Sequence, residues 1–216
     1  MKSKVKTLKE AMEMIHDGQT IMICGFTFAG SPVKLIDGLV EKGVKDLNLI
    51  SNDTCTPEFG IGKLIVNKQI KKLTASHIGL NKETGRQMTA GELEVTLVPQ
   101  GTLAERFRSA GAGLGGFLTP TGVGTIVEEG KQKININGKD YLLELPLRAE
   151  VALIKAWKAD KSGNLTYRRA ARHFNPLMAT AADFVIVEAE EIVEVGELDP
   201  EIVFTPGIMV DMIVQA

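Results

Sequence analysis

Small residues and uncharged amide side chains follow three predicted strands of the sequence, at the points where those strands end. Residues 17–32 (DGQTIMICGFTFAGSP) contain an apolar run that opens into a loop of small residues, and the final proline fits the first turn of a helix. A polar cluster at residues 51–54 follows the next apolar run, and Gln100 and Gly101 follow another one. Because open α/β sheets bind ligands at the carboxyl ends of their strands, we expect these residues to share a binding edge.

The chemistry expected of this edge is recognition by hydrogen bonds. Gly25 and its small neighbours leave backbone N–H groups bare ahead of a helix, which suits an anionic or carbonyl-bearing ligand. Side-chain amides bind a carboxylate or thioester oxygen without adding charge. Two alternatives stay open: the loop is a simple tight turn, and Asn52 and Asp53 form an Asx-turn or a helix cap. Phe26 and Phe28 belong either to the core or to a cover over an apolar ligand arm.

The other candidate residues indicate no second site. The histidines have no triad or metal-ligand spacing, which favours surface or hydrogen-bonded positions for His16, His77 and His173. We interpret the basic cluster at residues 168–173 (Arg168, Arg169, Arg172, His173) as a solvated face or a subunit contact, with phosphate binding as the alternative. The glycines at 111, 113 and 116 lack the flanking strand, helix and acidic residue of a dinucleotide fingerprint. Without paired carboxylates or an evident nucleophile, the sequence predicts no catalytic residue and no metal site in this chain.

The composition is that of an ordinary globular protein. The chain has 216 residues, of which 44% are hydrophobic and 24% charged, and its formal net charge is −2. This balance gives no electrostatic reason to expect nucleic acid or an anionic membrane as a partner. Cys24 and Cys55 belong to no CxxC pair, which favours reduced thiols. With neither a signal-type apolar core nor an apolar run of about 20 residues, the sequence predicts a soluble, cytoplasmic protein.

Helix and strand patterns alternate along most of the chain. Apolar residues recur at helical spacing between Leu8 and Ile15, and a second helix begins after Pro32. Strands are predicted at residues 20–24, 46–50, 72–78, 94–98, 151–154 and 184–187, and further helices at 102–109 and 176–182. This order predicts right-handed crossovers and an α/β fold with a mostly parallel mixed sheet flanked by helices.

The middle of the chain departs from this alternation. Residues 111–124 are too rich in glycine for a regular element. The pair Asn137-Gly138 lies between two short strand patterns and predicts a β-hairpin. We therefore expect a single domain over residues 1–216 with a hairpin excursion.

Several blocks of the sequence together carry a family resemblance. The first block begins at Asp17-Gly18 and continues through Gly25-Phe26, Gly30 and Pro32. The others are SNDT at 51–54, VPQGTL at 98–103, GAGLGGFLTPTGVGT at 111–125, LLELPLRAEVALI at 142–154, GNLTY at 163–167 and FNP at 174–176. In these blocks, which span nearly the whole chain, the sequence resembles the alpha subunits of family I (3-oxoacid type) CoA-transferases, especially the acetate/butyrate–acetoacetate type.

The resemblance implies a fold and a set of site residues. The fold is a seven-stranded mixed α/β sheet that is shared with some sugar-phosphate isomerases. The family's CoA-binding loop is matched here by Cys24, Gly25, Phe26, Thr27, Phe28, Ala29 and Gly30. Residues matching Asn52 and Gln100 line the family's carboxylate pocket, with Gly101 beside them and Asp53 at the position of a second pocket amide.

Two positions depart from the family pattern. Cys24 stands where the family has a glycine, so it would be strained if that residue needs a positive φ. Asp53 stands where related enzymes often have asparagine. A carboxylate there would repel a substrate carboxylate unless it points away or is hydrogen-bonded.

The resemblance also implies a partner and a mechanism. The family's nucleophile is a glutamate in a Ser-Glu-Asn-Gly motif of the beta subunit, and Glu-Asn-Gly does not occur here. The implied reaction is ping-pong transfer in an alpha2beta2 assembly, with coenzyme A as a substrate and no permanently bound cofactor. Two other classes stay open, namely a sugar-phosphate isomerase-like enzyme and a non-catalytic sensor of CoA or acyl ligands.

Overall fold

The computed structural model describes residues 3–216, and its strands and helices alternate along most of the chain. The strands are β1 Thr20–Ile23, β2 Leu47–Ser51, β3 Ile70–Ala75, β4 Glu94–Leu97, β5 Phe117–Thr119, β6 Lys133–Ile136, β7 Lys139–Glu144, β8 Ala149–Asp160, β9 Leu165–Thr166, β10 Ala182–Val193 and β11 Met212–Gln215. The helices are α1 Leu8–Glu13, α2 Val33–Lys42, α3 Ile61–Val66, α4 Lys82–Thr89, α5 Gln100–Gly111 and α6 Asn175–Thr180. Within residues 3–216, no helix has both the length and the hydropathy needed to cross a membrane.

The main sheet runs in the order β11-β10-β8-β1-β2-β3-β4, and every neighbouring pair along this path is parallel. The short β9 pairs antiparallel with β8 and makes the sheet mixed. This arrangement confirms the predicted α/β class with a mostly parallel sheet. The path has the seven strands that the resemblance implied, and β9 is an eighth strand beside it.

Alternate residues of β1 point to opposite faces of the sheet, and each face has its own apolar cluster. Met22 packs in the cluster that contains Leu103 and Phe107 of α5. Ile21 and Ile23 pack in the other cluster, which draws its helical residues from α1, α2 and α3. The helices therefore cover both faces, which is why β1 reads as a continuous apolar run in the sequence.

The hairpin excursion forms a separate three-stranded antiparallel sheet in the order β5-β7-β6. Asn137 and Gly138 connect β6 to β7 with φ values of 52° and 81°, so the predicted hairpin turn is confirmed. The expectation that residues 111–124 hold no regular element is wrong in part. Helix α5 extends through Gly111, and β5 forms because β7 supplies backbone partners to Phe117 and its neighbours.

Several short elements gave no signal in the sequence. Helices α3 and α4 have only 6 and 8 residues, which is less than the window over which helical periodicity is measured. Strand β9 has 2 residues and β11 has 4, and both depend on pairing with longer strands. The strand predicted at 72–78 is shifted toward the N-terminus, because β3 spans Ile70–Ala75 and beyond it His77 forms an isolated bridge with Asp53.

A buried carboxylate fixes α2 against the sheet. Glu188 of β10 is 2% exposed, and its Oε2 accepts hydrogen bonds from the backbone N–H groups of Lys34 (2.8 Å) and Leu35 (3.2 Å) in the first turn of α2. Its Oε1 lies 3.2 Å from Nζ of Lys155 on β8. A negative charge at a helix N-terminus is also favoured by the helix dipole. Since α2 begins just after the loop that follows β1, this contact helps to set where that loop ends.

We predict that Glu188→Ala lowers the free energy of unfolding by about 3 kcal/mol, because it leaves two backbone donors without their acceptor and Lys155 with only the more distant carboxylate of Glu190. Glu191→Ala is the matched control. Glu191 lies on the same strand and pairs with Lys158 of β8, but its side chain is 49% exposed, so its loss should cost less than about 1 kcal/mol. Denaturant titration measures both values, and equal losses would contradict the role assigned to Glu188.

Candidate binding site at the strand ends

The structure places the predicted site residues at one edge of the main sheet. Strand β1 ends at Ile23 and leads into the loop of residues 24–30, and the adjacent β2 ends at Ser51, just before Asn52 and Asp53. Gln100 and Gly101 lie in the first turn of α5, which is separated from β4 by two residues, Val98 and Pro99. The ends of β1, β2 and β3 and the start of α5 are joined by hydrogen bonds between side chains and backbone groups.

Asp53 is the centre of this hydrogen-bonded group. It is 4% exposed, and its Oδ2 accepts from the backbone N–H of Thr27 at 2.8 Å and from Nδ2 of Asn52 at 3.0 Å. Its Oδ1 accepts from the backbone N–H of Cys55 at 2.8 Å, which is the Asx-turn considered in the sequence analysis. Both carboxylate oxygens are thus engaged by donors of this chain. Asp53 meets the hydrogen-bonding condition under which a carboxylate is tolerated at this position.

The amide side chains form a continuous chain outward from Asp53. Asn52, which is buried, donates to Asp53 and accepts at Oδ1 from Nε2 of Gln100. The hydroxyl of Ser76, at the end of β3, lies 2.7 Å from the backbone carbonyl of Asn52 and also contacts Oε1 of Gln100. Gln100 and Gly101 are exposed, so this chain of amides reaches the surface at Gln100.

The loop of residues 24–30 has a defined shape. Phe26 and Ala29 exchange two backbone hydrogen bonds of 3.0 Å, and Thr27 between them has a φ of 54°. The N–H groups of Phe28 and Gly30 donate to no acceptor among residues 3–216. The loop is therefore a tight turn, as one alternative predicted, and two of its amide groups are left without an acceptor in the described residues.

The two phenylalanines of the loop lie on the surface rather than in the core. Phe26 is 55% exposed and Phe28 is 58% exposed. The ring of Phe28 contacts Phe59 edge to face, with a centroid distance of 4.9 Å. Rings in these positions leave apolar surface beside the free amide donors, which fits a ligand with an apolar arm.

Cys24 is not strained. Its φ lies outside the left-handed region, and the positive φ of the loop falls on Thr27 and Gly30 instead. Cys24 is fully buried, and burial raises the pKa of its thiol well above the usual range. The substitution of cysteine for glycine is thus accommodated in the core, and the neutral thiol is a poor nucleophile.

Two residues that the sequence analysis did not place at this site hold the loop from the other side. His173 Nε2 lies 3.0 Å from the carbonyl oxygen of Ala29, and Asn175 Nδ2 lies 3.1 Å from the carbonyl oxygen of Gly30. Burial lowers the pKa of His173. These contacts join segments about 145 residues apart, so no local pattern indicated them. The FNP block at 174–176 was the available signal, because it marked this segment as part of the family resemblance.

The basic cluster lies beside the loop. Arg168, Arg169 and Arg172 are exposed, as a solvated face requires. Arg168 pairs with Glu190, and Arg172 Nε donates to the backbone carbonyl of Tyr167 at 3.1 Å. A cleft of about 300 Å³ separates this face from the loop, and its lining includes Ala29, Gly30, Lys155 and Arg169. In the described part of the chain, no group of three or more His, Cys, Asp or Glu side chains is arranged to hold a metal ion.

We predict that Gly30→Ala destabilises the loop more than its backbone strain alone explains. Gly30 has a φ of 66°, and an added Cβ would lie 2.8 Å from Asn175 Nδ2 and 3.0 Å from His173 Nε2. Gly43→Ala is the control, because Gly43 has a φ of 69° but open space at its Cβ position. Both variants bear the left-handed strain, and Gly30→Ala should lose on the order of 1–3 kcal/mol more in a denaturant titration. Equal losses would argue that the loop has room to relax.

Known proteins are similar in sequence to this chain along nearly its full length. A sequence profile of the family described as Coenzyme A transferase matches residues 5–216. The chain is 57% identical over 214 residues to acetate CoA-transferase subunit alpha of Escherichia coli (strain K12), covering 99% of this chain and 97% of that protein. It is 54% identical over 215 residues to the acetoacetyl-CoA:acetate/butyrate CoA transferase alpha subunit of Clostridium acetobutylicum, covering 100% of this chain and 99% of that one.

The fold is also similar to that of solved structures. An acyl-CoA transferase of Escherichia coli O157:H7, crystallised as a thioester complex with CoA, superimposes with a TM-score of 0.88 at 22% identity. The alignment covers 100% of this chain but 47% of that one, so this chain spans about half its length. The similar fold, the match of the family profile and the full-length identities above confirm the family predicted from the sequence: this chain belongs to the coenzyme A transferases.

Proposed function

We propose that this chain is the alpha subunit of a short-chain acyl CoA-transferase. In this proposal it helps to move CoA between acetyl-, butyryl- or acetoacetyl-CoA and a free carboxylate such as acetate or acetoacetate. The observation that carries the proposal is the identity of 57% and 54%, over essentially the full length, to two proteins named as alpha subunits of such enzymes. We further propose that residues 1–216 form one domain that works within an alpha2beta2 assembly.

The strand-end edge supplies the binding groups in this proposal. Residues 24–30 bind the CoA moiety, with the free N–H groups of Phe28 and Gly30 as donors and the exposed rings of Phe26 and Phe28 as apolar surface. Gln100 is the exposed end of the amide chain and binds the carboxylate or thioester oxygen, with Gly101 leaving room beside it. Asn52 and Asp53 orient Gln100 and Thr27 through their hydrogen bonds.

The covalent steps in this proposal use a glutamate of the beta subunit. Its carboxylate attacks the carbonyl carbon of the acyl-CoA thioester, which forms a mixed anhydride and releases the CoA thiolate. The thiolate then attacks the glutamyl carbonyl carbon, which releases the acyl group as a carboxylate and leaves a glutamyl-CoA thioester. An incoming carboxylate reverses both steps. One thioester replaces another, so the reaction requires neither ATP nor a permanently bound cofactor.

We predict that the purified chain alone has no CoA-transferase activity and that activity appears when its beta subunit is added. The reason is that the nucleophile of the proposed mechanism lies on the partner. The assay follows transfer from acetoacetyl-CoA to acetate with each subunit alone and with both. Robust turnover by this chain alone would reject the division of labour. Binding of CoA by the complex without any turnover would favour a ligand sensor instead.

We predict that Gln100→Ala lowers kcat/KM for acetate roughly 5- to 150-fold, because it removes an amide partner of the substrate oxygen and leaves Asn52 Oδ1 without its donor. Gln100→Glu should be slower still, since it places a carboxylate against both Asn52 Oδ1 and the substrate. Gln132→Ala, at an exposed amide just before β6, is the control and should leave kcat/KM unchanged. Size-exclusion profiles confirm assembly of each complex. A Gln100→Glu complex as fast as the wild type would remove Gln100 from the pocket.

A further inference from the structure

Side chains from the turn after β2 and from around the start of α6 hold the loop of residues 24–30 in place. Three of its backbone groups bond to side chains outside the loop: the N–H of Thr27 to Asp53, the carbonyl of Ala29 to His173 and the carbonyl of Gly30 to Asn175. Asn175 also accepts from the backbone N–H of Lys155 on β8 at 2.8 Å, so it is fixed to the main sheet. The shape of the loop therefore depends on contacts from both sides.

The hydrogen bonds of His173 define the state of its ring. Its Nδ1 lies 2.7 Å from the backbone nitrogen of Phe174, whose N–H group donates, so Nδ1 acts as an acceptor. The ring proton is then at Nε2, which donates to the carbonyl oxygen of Ala29 at 3.0 Å. The thiol of Cys24, 3.7 Å from Nδ1, is a second and weaker neighbour of the same nitrogen. A neutral imidazole with its proton at Nε2 satisfies each of these contacts.

The ring also supports the apolar part of the loop. The ring of Phe26 packs edge to face against the imidazole, with a centroid distance of 6.3 Å. Phe26 nevertheless remains 55% exposed. A side chain that holds both the Ala29 carbonyl and the Phe26 ring controls the face that residues 24–30 present to a ligand. The imidazole also packs edge to face against Phe174, with a centroid distance of 5.9 Å.

We propose that His173 is a positioning residue for the CoA-binding loop: by donating to Ala29 and supporting Phe26, it holds residues 24–30 in the shape that accepts the acyl-CoA. This inference rests on the proposed function, because it concerns the ligand assigned to that loop. It predicts a change in the affinity for acyl-CoA, with little change in the covalent steps, since His173 contacts the loop rather than the reacting atoms. No role in proton transfer is assigned to it.

The test compares His173→Leu, His173→Gln and the control His16→Leu in the complete two-subunit complex. Leucine removes the donor, whereas glutamine carries an amide N–H at about the reach of Nε2. His16 is an exposed histidine outside the site. His173→Leu should raise KM for acetoacetyl-CoA about tenfold with kcat within about twofold of the wild type, and His173→Gln should recover most of that loss. Hydrogen exchange of residues 24–31 should be faster in His173→Leu than in His16→Leu.

The other outcomes count against either this proposal or the proposed function on which it rests. An unchanged KM in an active His173→Leu complex rejects it, whether or not hydrogen exchange of the loop changes. A loss of activity that follows the loss of melting temperature, with no recovery in His173→Gln, means that His173 only stabilises the fold. A wild-type complex without transferase activity rejects the proposed function instead. In that case the hydrogen exchange of residues 24–31 still decides whether His173 holds the loop.

Discussion

The carboxylate of Asp53 is the interaction on which the strand-end site depends. It is buried, and it accepts from Thr27 in the loop after β1, from Asn52 at the end of β2 and from Cys55 beyond it. A buried carboxylate without these donors would carry a large desolvation cost, so the loop after β1 and the turn after β2 are constrained to meet at this point. The position of the loop, and the orientation of the Asn52 amide that in turn holds Gln100, follow from that constraint.

The parallel sheet explains why such distant residues can meet. In the order β8-β1-β2-β3-β4 the carboxyl ends of neighbouring strands lie side by side, so Thr27, Asn52, Ser76 and Gln100 are adjacent in space although 73 positions separate the first from the last. On the opposite side of the loop, His173, which precedes α6, donates to the carbonyl oxygen of Ala29. The paired strands fix the positions of their own carboxyl ends. The irregular segment between β1 and α2 is held by hydrogen bonds on both of its sides.

The fold class and the meeting of these strand ends at one edge of the sheet could be predicted from the sequence. Both rest on local features, namely apolar strand patterns followed by Asn52, Asp53 and Gln100. The sequence could not predict the contacts of His173 or Asn175, which join the loop across about 145 residues. Nor could it decide between core and surface for Phe26 and Phe28, since periodicity is lost in a tight turn. The strand β5 was missed for a related reason: glycines surround it, and its stability comes from pairing with β7.

In the proposed function, acyl-CoA binds at this edge of the sheet. The most direct measurement is a crystal structure of the two-subunit complex with acetoacetyl-CoA. We expect the CoA chain to lie along residues 25–30, with the thioester or acyl oxygen within hydrogen-bond distance of the Gln100 side chain. Acetoacetyl-CoA bound at a different face, with the loop and Gln100 exposed to solvent, would contradict this expectation.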